Sequence, residues 1–300
     1  RQAIAPELMR RANRIIKSEI IRLDDDHKIY WMDSAIAYIS KGKNYLNPKL
    51  MLLVDEAIDQ ESREKLQDNL EKKLYSLISS ELSDLVNLSK SKFKNNYVRA
   101  LCYQLFENNG VMKRKIVNSM IKNISKEDRL SLRKVGVKIG RYHIFLPRML
   151  KPSALNLRVK LWKLFFPEDK RYVIPKSGLN FLKDEFKKNS KFLLICGFEN
   201  FDKFYVRVDI LERFFLKIIE QSKETGMFKI DSDMINLIGC SKENFFKLLE
   251  LMEYRSKKIS DSKDEFFVYK PKFISNKNEQ KSKKINKDSP FDKLSELRFR

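Results

Sequence analysis

The sequence predicts a mainly α-helical protein with small β elements, that is, an α+β fold. Only 8 of the 300 residues are glycine, which argues against a loop-rich or all-β chain. The apolar fraction of 42% is sufficient for hydrophobic cores in two or three domains. Between residues 66 and 88, leucine or isoleucine recurs at spacings of three and four, which predicts a long amphipathic helix.

The first predicted domain is a small α+β unit over residues 1–58. Residues 6–18 are predicted to form a short basic helix with proline in its first turn. Apolar and polar residues then alternate on both sides of Asp24-Asp25-Asp26-His27, which predicts a β-hairpin with this segment as its turn.

The second predicted domain is helical and covers residues 59–190. After the long helix, Ser125 and Asp128 have the spacing of a capping box at the start of another helix. A Pro-bounded helix is predicted over residues 175–187. Residues 137–145 interrupt the helices with a strand or hairpin that carries basic and aromatic side chains.

The third predicted domain, residues 191–270, has the element order of a winged helix-turn-helix. A helix, a short helix, a tight turn, a third helix and two short strands follow one another. Residues 271–300 are rich in lysine and predict a flexible basic tail, in which Pro290-Phe291 is a candidate docking peptide.

The charge of the chain indicates a polyanionic partner. There are 62 Lys and Arg against 40 Asp and Glu, giving a net charge of +22. Residues 129–167 contain ten Lys or Arg and no Asp or Glu. A Lys-, Ile- and Asn-rich composition also raises the charge without any function, but it explains this clustered segment less well.

This segment and the winged module supply the candidate binding residues. Tyr142 and His143 could stack on bases, while the cations contact phosphates. The alternative is that the aromatic residues belong to the core and the cations are merely solvated. The predicted nucleic-acid-binding residues are Lys138, Arg141, Tyr142, His143, Arg148, Lys151, Arg158, Lys242, Lys247 and Arg255.

No catalytic, nucleotide-binding or metal-binding motif is present. The chain has neither G-x-x-x-x-G-K-[ST] nor G-x-G-x-x-G, and it has only two histidines. We therefore expect no cofactor on this chain and no small-molecule substrate. Three widely spaced cysteines favour a reducing compartment, and no apolar run reaches the ~18 residues of a membrane span. We expect a cytoplasmic protein without a membrane partner.

Several segments, in order along the chain, resemble one helicase family. The matching segments are residues 4–7, 132–147, 150–152, 161–162, 206–213, 237–241, 251–255 and 288–291. They resemble the C-terminal accessory region of an alphaproteobacterial superfamily 2 helicase related to the mitochondrial degradosome RNA helicase. The resemblance implies that ATP and magnesium bind only to motor domains located before Arg1, and that this region packs on that motor.

Three functional hypotheses follow from the sequence. The first is a non-catalytic accessory region that binds single-stranded RNA or DNA and guides it beside the helicase motor. The second is a stand-alone winged-helix DNA-binding protein, such as a replication initiator or regulator. The third is a protein-interaction scaffold whose basic charge reflects composition alone.

Overall fold

The computed structural model describes residues 4–18, 21–53, 59–166, 172–183, 190–258 and 265–270. It has the predicted α+β fold, with helices and several small sheets. The predicted basic tail, residues 271–300, lies outside the described residues.

The N-terminal part consists of one helix and one antiparallel sheet of four strands. Its elements are α1 (Ile4–Lys17), β1 (Arg22–Leu23), β2 (Lys28–Trp31), β3 (Ser34–Asn44) and β4 (Asn47–Leu52). The strands are hydrogen-bonded in chain order, β1-β2-β3-β4. The side chain of Lys73 donates to the carbonyl oxygens of Ile15 and Ile16, at 2.8 and 3.0 Å, and so satisfies the C-terminal end of α1.

The long predicted helix is two consecutive helices. They are α2 (Gln60–Glu81) and α3 (Ser83–Lys90). Asp59 caps α2 by accepting the backbone N–H of Ser62 at 2.9 Å. The leucine stripe faces inward as predicted, and its buried members in α2 include Leu66, Leu70 and Leu74.

The central part alternates helices with a three-stranded sheet. Its elements are α4 (Asn96–Glu107), β5 (Val111–Lys113), α5 (Asn118–Lys122), α6 (Lys126–Lys134), β6 (Lys138–Ile139), β7 (His143–Phe145) and α7 (Pro152–Lys163). The predicted capping box is present, because Ser125 and Asp128 each accept the other's backbone N–H. The sheet order is β5-β7-β6, so the basic segment is a hairpin and not one continuous strand.

One hydrophobic core joins the first two predicted domains. It contains Ile29 and Leu50 from the first sheet together with Leu70, Leu105 and Leu161 from the helices. The predicted boundary at residue 58 therefore does not separate two hydrophobic cores.

Another three-stranded sheet lies between the central part and the C-terminal module in the sequence. Its elements are β8 (Phe181–Lys183), α8 (Ser190–Ile195), β9 (Phe198–Phe201) and β10 (Phe204–Arg207), with sheet order β8-β10-β9. The predicted helix over 175–187 is therefore wrong at residues 175–183, which are irregular or extended, and residues 184–187 lie outside the described residues. The reason is tertiary, because Phe181 and Leu182 pair with Val206 and Tyr205 of the distant strand β10.

The C-terminal module has the arrangement of a winged helix. Its elements are α9 (Val208–Ser222), β11 (Phe228–Lys229), α10 (Ser232–Ile238), α11 (Lys242–Leu251), β12 (Tyr254–Lys258) and β13 (Glu265–Tyr269). Gly239 ends α10 in the left-handed conformation and Ser241 caps α11, which produces the tight turn between these helices. The sheet order is β11-β13-β12, and Phe214, Phe245 and Leu248 lie in the core of the module.

Candidate nucleic-acid interface

The turn of the basic hairpin is held by one carboxylate from the winged module. Glu212 of α9 accepts the backbone N–H groups of Arg141, Tyr142 and His143 at 2.5, 2.9 and 2.8 Å. A carboxylate that accepts several backbone donors in a buried site fixes the conformation of the turn. The winged module therefore determines how the tip of the hairpin is presented.

His143 lies at the centre of a buried ionic cluster. Its Nε2 is 2.7 Å from Glu199 and its Nδ1 is 3.2 Å from Glu212, while Lys113 also pairs with Glu199. These residues, Lys113, His143, Glu199 and Glu212, are called the His143 cluster below. His143 is only 2% exposed, so its predicted role in stacking on bases is wrong. Both of its ring nitrogens contact glutamate carboxylates, and the spacing of these glutamates in the sequence gives no sign of this contact.

The cluster shifts the pKa of His143 and the pKa values of its two glutamates in opposite directions. Burial lowers the pKa of His143, but its hydrogen bonds to Glu199 and Glu212 and the charges of both carboxylates outweigh burial and raise it overall. Burial raises the pKa of Glu199 and Glu212, but hydrogen bonds from His143, joined by Lys113 at Glu199 and by backbone N–H groups at Glu212, lower both. With His143 protonated, two cations face two anions.

We expect the stabilisation from the cluster to be largest in mildly acidic solution. The His143 contribution is complete below its ordinary pKa of 6.5 and is lost as pH rises through the raised folded value. The glutamate contributions are complete above 4.5 and are lost as pH falls through the lowered folded values. The free-energy difference between wild type and His143→Gln, measured by urea unfolding, should therefore grow as pH falls from 9 to 6. A difference that is constant over this range would contradict the assignment.

A cleft of about 430 Å³ opens beside the cluster, between the central part and the winged module. Below it is called the central cleft. Cationic and aromatic side chains line it together with a few aliphatic and acidic groups. The cationic and aromatic residues are Lys113, Arg114, Lys115, Arg141, Tyr142, His143, Phe201, Phe215 and Tyr269.

The mouth of the central cleft combines exposed cations with exposed aromatic rings. Lys115 and Arg141 are exposed, and Tyr142 and Tyr269 are 40% and 52% exposed. The Tyr142 ring packs against the Phe215 ring with ring centroids 4.0 Å apart, and this contact restricts the orientation of the Tyr142 ring. Such a mouth can hold a phosphate near its cations and a base against an aromatic face.

Two of the basic residues in the cleft have structural partners. Lys113 pairs with Glu199, and Arg114 donates to the carbonyl oxygen of Gly140 at 2.8 Å. Lys113, Arg114 and Lys115 were missed as candidate residues. The sequence shows them as a run of three basic residues, but only the structure shows that this run lines the same cleft as Arg141.

Arg158 is the second correction to the predicted binding residues. It is 0% exposed, and its guanidinium donates to the carbonyl oxygens of Asn109 and Ile195. Arg158 therefore joins α7 to the end of α4 and to α8, and it cannot reach a phosphate. Arg158 shares a face of α7 with the buried residues Ala154, Leu161 and Trp162, three or four positions away, and this face points inward.

Three further predicted binding residues of the basic segment, Lys138, Arg148 and Lys151, are exposed but do not line the central cleft. Lys138 lies over the ring of Phe145 at 5.7 Å, and Arg148 is 3.4 Å from the carboxylate of Asp84. Lys151 is exposed just before α7. The prediction of a surface patch without acidic residues is therefore wrong. Asp84, Glu199 and Glu212, which lie far away in the sequence, contact residues of this segment in the folded protein.

The winged module presents a surface of mixed charge. Lys242, Lys247 and Arg255 are exposed, but Lys247 pairs with Glu243 at 2.5 Å. The groove between α11 and the sheet contains both signs of charge. Its charged lining residues are Lys247, Glu250, Glu253, Arg255, Glu265 and Lys270. This balance gives the groove little net attraction for a polyanion.

Comparison with protein-family models, with curated protein sequences and with solved structures gives no significant match. By its fold and its cleft, this is an α+β protein with a winged-helix-like module and a cleft lined by basic and aromatic residues. Within the described ranges, no three His, Cys, Asp or Glu side chains converge as a metal ion would require. Among the same residues, no helix combines the length and apolar character needed to cross a bilayer.

Proposed function

We propose that this chain is a non-catalytic, nucleic-acid-binding accessory region of an ATP-dependent helicase. The observation that carries the binding part is the mouth of the central cleft, where Lys115 and Arg141 stand beside the exposed rings of Tyr142 and Tyr269. The net charge of +22 supports the same ligand class. The helicase part rests on the sequence resemblance described above, and the proposed cytoplasmic location rests on the three widely spaced cysteines.

In this proposal the chain binds a single strand and does no chemistry on it. Aromatic faces accept unpaired bases, while cations neutralise the backbone without reading sequence. ATP and magnesium would bind to the motor domains of the same parent protein. A Walker loop and a DExH box encoded directly upstream of Arg1 would support this part of the proposal, and a different upstream domain would overturn it.

Removing the two exposed cations of the cleft should weaken single-strand binding. We expect Lys115→Gln with Arg141→Gln to reduce affinity for a labelled oligonucleotide by roughly tenfold at low salt. The slope of log K against log salt should fall by about 0.7 for each lost phosphate contact. Fluorescence anisotropy over a salt series measures both quantities. The matched control is Lys122→Gln with Lys126→Gln, two exposed cations outside the cleft. Equal behaviour of the two pairs would refute the cleft as the binding site.

A second candidate function is that of a stand-alone DNA-binding protein, which the winged-helix topology favours. The exposed charges near the start of α11 weigh against it, because Glu243 pairs with Lys247 where a recognition helix would face the groove. Sequence-dependent binding to duplex DNA would favour this second candidate over the first.

A further inference from the structure

The N-terminal sheet has one buried face and one face that the central cleft does not involve. Ile29, Ile39 and Leu50 point into the main core. The neighbouring residues on each strand therefore point outward, because side chains alternate along a strand. The outward residues on the four strands include Arg22, Lys28, Tyr30, Tyr38, Ser40, Lys49 and Met51.

Strand pairing brings these outward side chains together. Tyr38 of β3 is opposite Lys28 on one side and opposite Met51 on the other. On the flanks, Arg22 is opposite Tyr30 and Ser40 is opposite Lys49. Directly opposite residues on one face are in side-chain contact range, and Tyr30 lies two residues along β2 from Lys28, the partner of Tyr38.

A β-bulge explains why Tyr38 points outward. The register shifts between Ile29 and Tyr30, so that Ile29 pairs with Ala37 while Tyr30 pairs with Ala35. The extra residue, Ile36, is buried together with Ala37. The bulge thus turns two successive residues inward and keeps both tyrosines on the outer face.

The outer face is apolar in its middle and cationic at its borders. Tyr38 and Met51 are each 37% exposed, and Lys28 and Lys49 are exposed. The guanidinium of Arg22 lies 5.1 Å from the centre of the Tyr30 ring. The outward set listed above contains no carboxylate, while Asp68 and Glu71 of α2 line a pocket together with Lys49 at its border.

We propose that this outer face is a second binding site for single-stranded nucleic acid, with Tyr30 and Tyr38 as the stacking surface. Tyr38 is exposed and Tyr30 is half-buried. Aromatic rings on an open antiparallel sheet can stack on unpaired bases, and Met51 extends the apolar surface. Arg22, Lys28 and Lys49 supply the charge complementary to the phosphates. Paired bases offer no exposed faces to these rings, so duplex DNA is a poor ligand for this site. The inference shares its ligand class with the proposed function but uses different residues, on a different sheet.

Tyrosine substitutions test stacking directly. Anisotropy with a labelled oligo-uridine should show at least about tenfold weaker binding for Tyr30→Ala with Tyr38→Ala. Tyr30→Phe with Tyr38→Phe should bind like wild type, because the rings remain. The matched control is Tyr97→Ala with Tyr103→Ala, which removes two exposed tyrosines from α4 and should have no effect. Thermal melts check that each variant is folded, which we expect because both tyrosines are on the outer face.

Photo-crosslinking to a 4-thiouridine oligonucleotide separates this site from the central cleft. Crosslinks at Tyr30 or Tyr38 should persist in Lys115→Gln with Arg141→Gln. Unchanged affinity of the alanine pair, or an equal loss in the phenylalanine pair, would overturn the second site and leave the central cleft standing. Loss in the alanine pair alone, with no effect of the cleft variant, would overturn the cleft and retain the sheet. No single-strand binding by the wild type would overturn both.

Discussion

Replacing Glu212 by glutamine is expected to lower the free energy of unfolding by about 3 kcal/mol near pH 6. Glu212 is 3% exposed, accepts three backbone N–H groups and faces protonated His143. The variant keeps the shape of the side chain, so no cavity forms, but it leaves a buried cation with one carboxylate. Removing one partner of a buried pair typically costs about 3–5 kcal/mol. Urea unfolding followed by circular dichroism measures the change.

Two further variants show whether this loss comes from the clamp on the hairpin turn. Glu220→Gln removes an exposed carboxylate from the same helix and should change stability by less than about 0.5 kcal/mol. Gly140→Ala should reproduce part of the loss, because a Cβ at this position would overlap the Glu212 carboxylate. If Glu212→Gln were as stable as Glu220→Gln, the clamp would not be a stabilising element.

Truncating Arg158 to alanine should cost about 3–5 kcal/mol of stability. The change opens a cavity in the inward face of α7 and leaves the buried carbonyl oxygens of Asn109 and Ile195 without this donor. Burial lowers the pKa of Arg158 to about 10, so the guanidinium remains charged at neutral pH and donates both hydrogen bonds. Urea unfolding is again the measurement.

The Arg158 variant also checks the correction to the predicted binding residues. At a temperature where it is folded, Arg158→Ala should bind single-stranded oligonucleotide with wild-type affinity. Arg133→Ala, which removes an exposed arginine from α6, is the control and should change stability by less than about 0.5 kcal/mol. Lower affinity of folded Arg158→Ala, with unchanged stability, would return Arg158 to the surface role predicted from sequence.

Local sequence signals predicted those elements that depend on neighbouring residues. The leucine stripe of α2, the capping box at Ser125 and the turn between α10 and α11 are all present. Each depends on contacts within a few residues, which periodicity and capping chemistry describe well. The helix predicted over 175–187 was wrong at residues 175–183, and at β8 strand pairing with β10, more than twenty residues away, overrides helix propensity.

The candidate site also has features that the sequence predicts and features that depend on tertiary contacts. Net charge, the basic hairpin and its aromatic residues were visible in the sequence, since they depend only on which residues are present. The acid-free run at 129–167 did not predict an acid-free surface, because Glu199 and Glu212 are more than fifty residues from His143 in sequence and contact it in space. A one-dimensional pattern carries no information about such distant carboxylates.

The sequence by itself determined the α+β class, the order of elements in the winged module and the excess of positive charge. Only the tertiary structure decided which charges remain available to a ligand. His143 and Arg158 became internal, Lys115 became part of the cleft mouth, and Tyr38 was turned outward by a bulge. The physical reason is that burial and ion pairing depend on distances between residues far apart in the chain, which are fixed only when the helices and sheets pack.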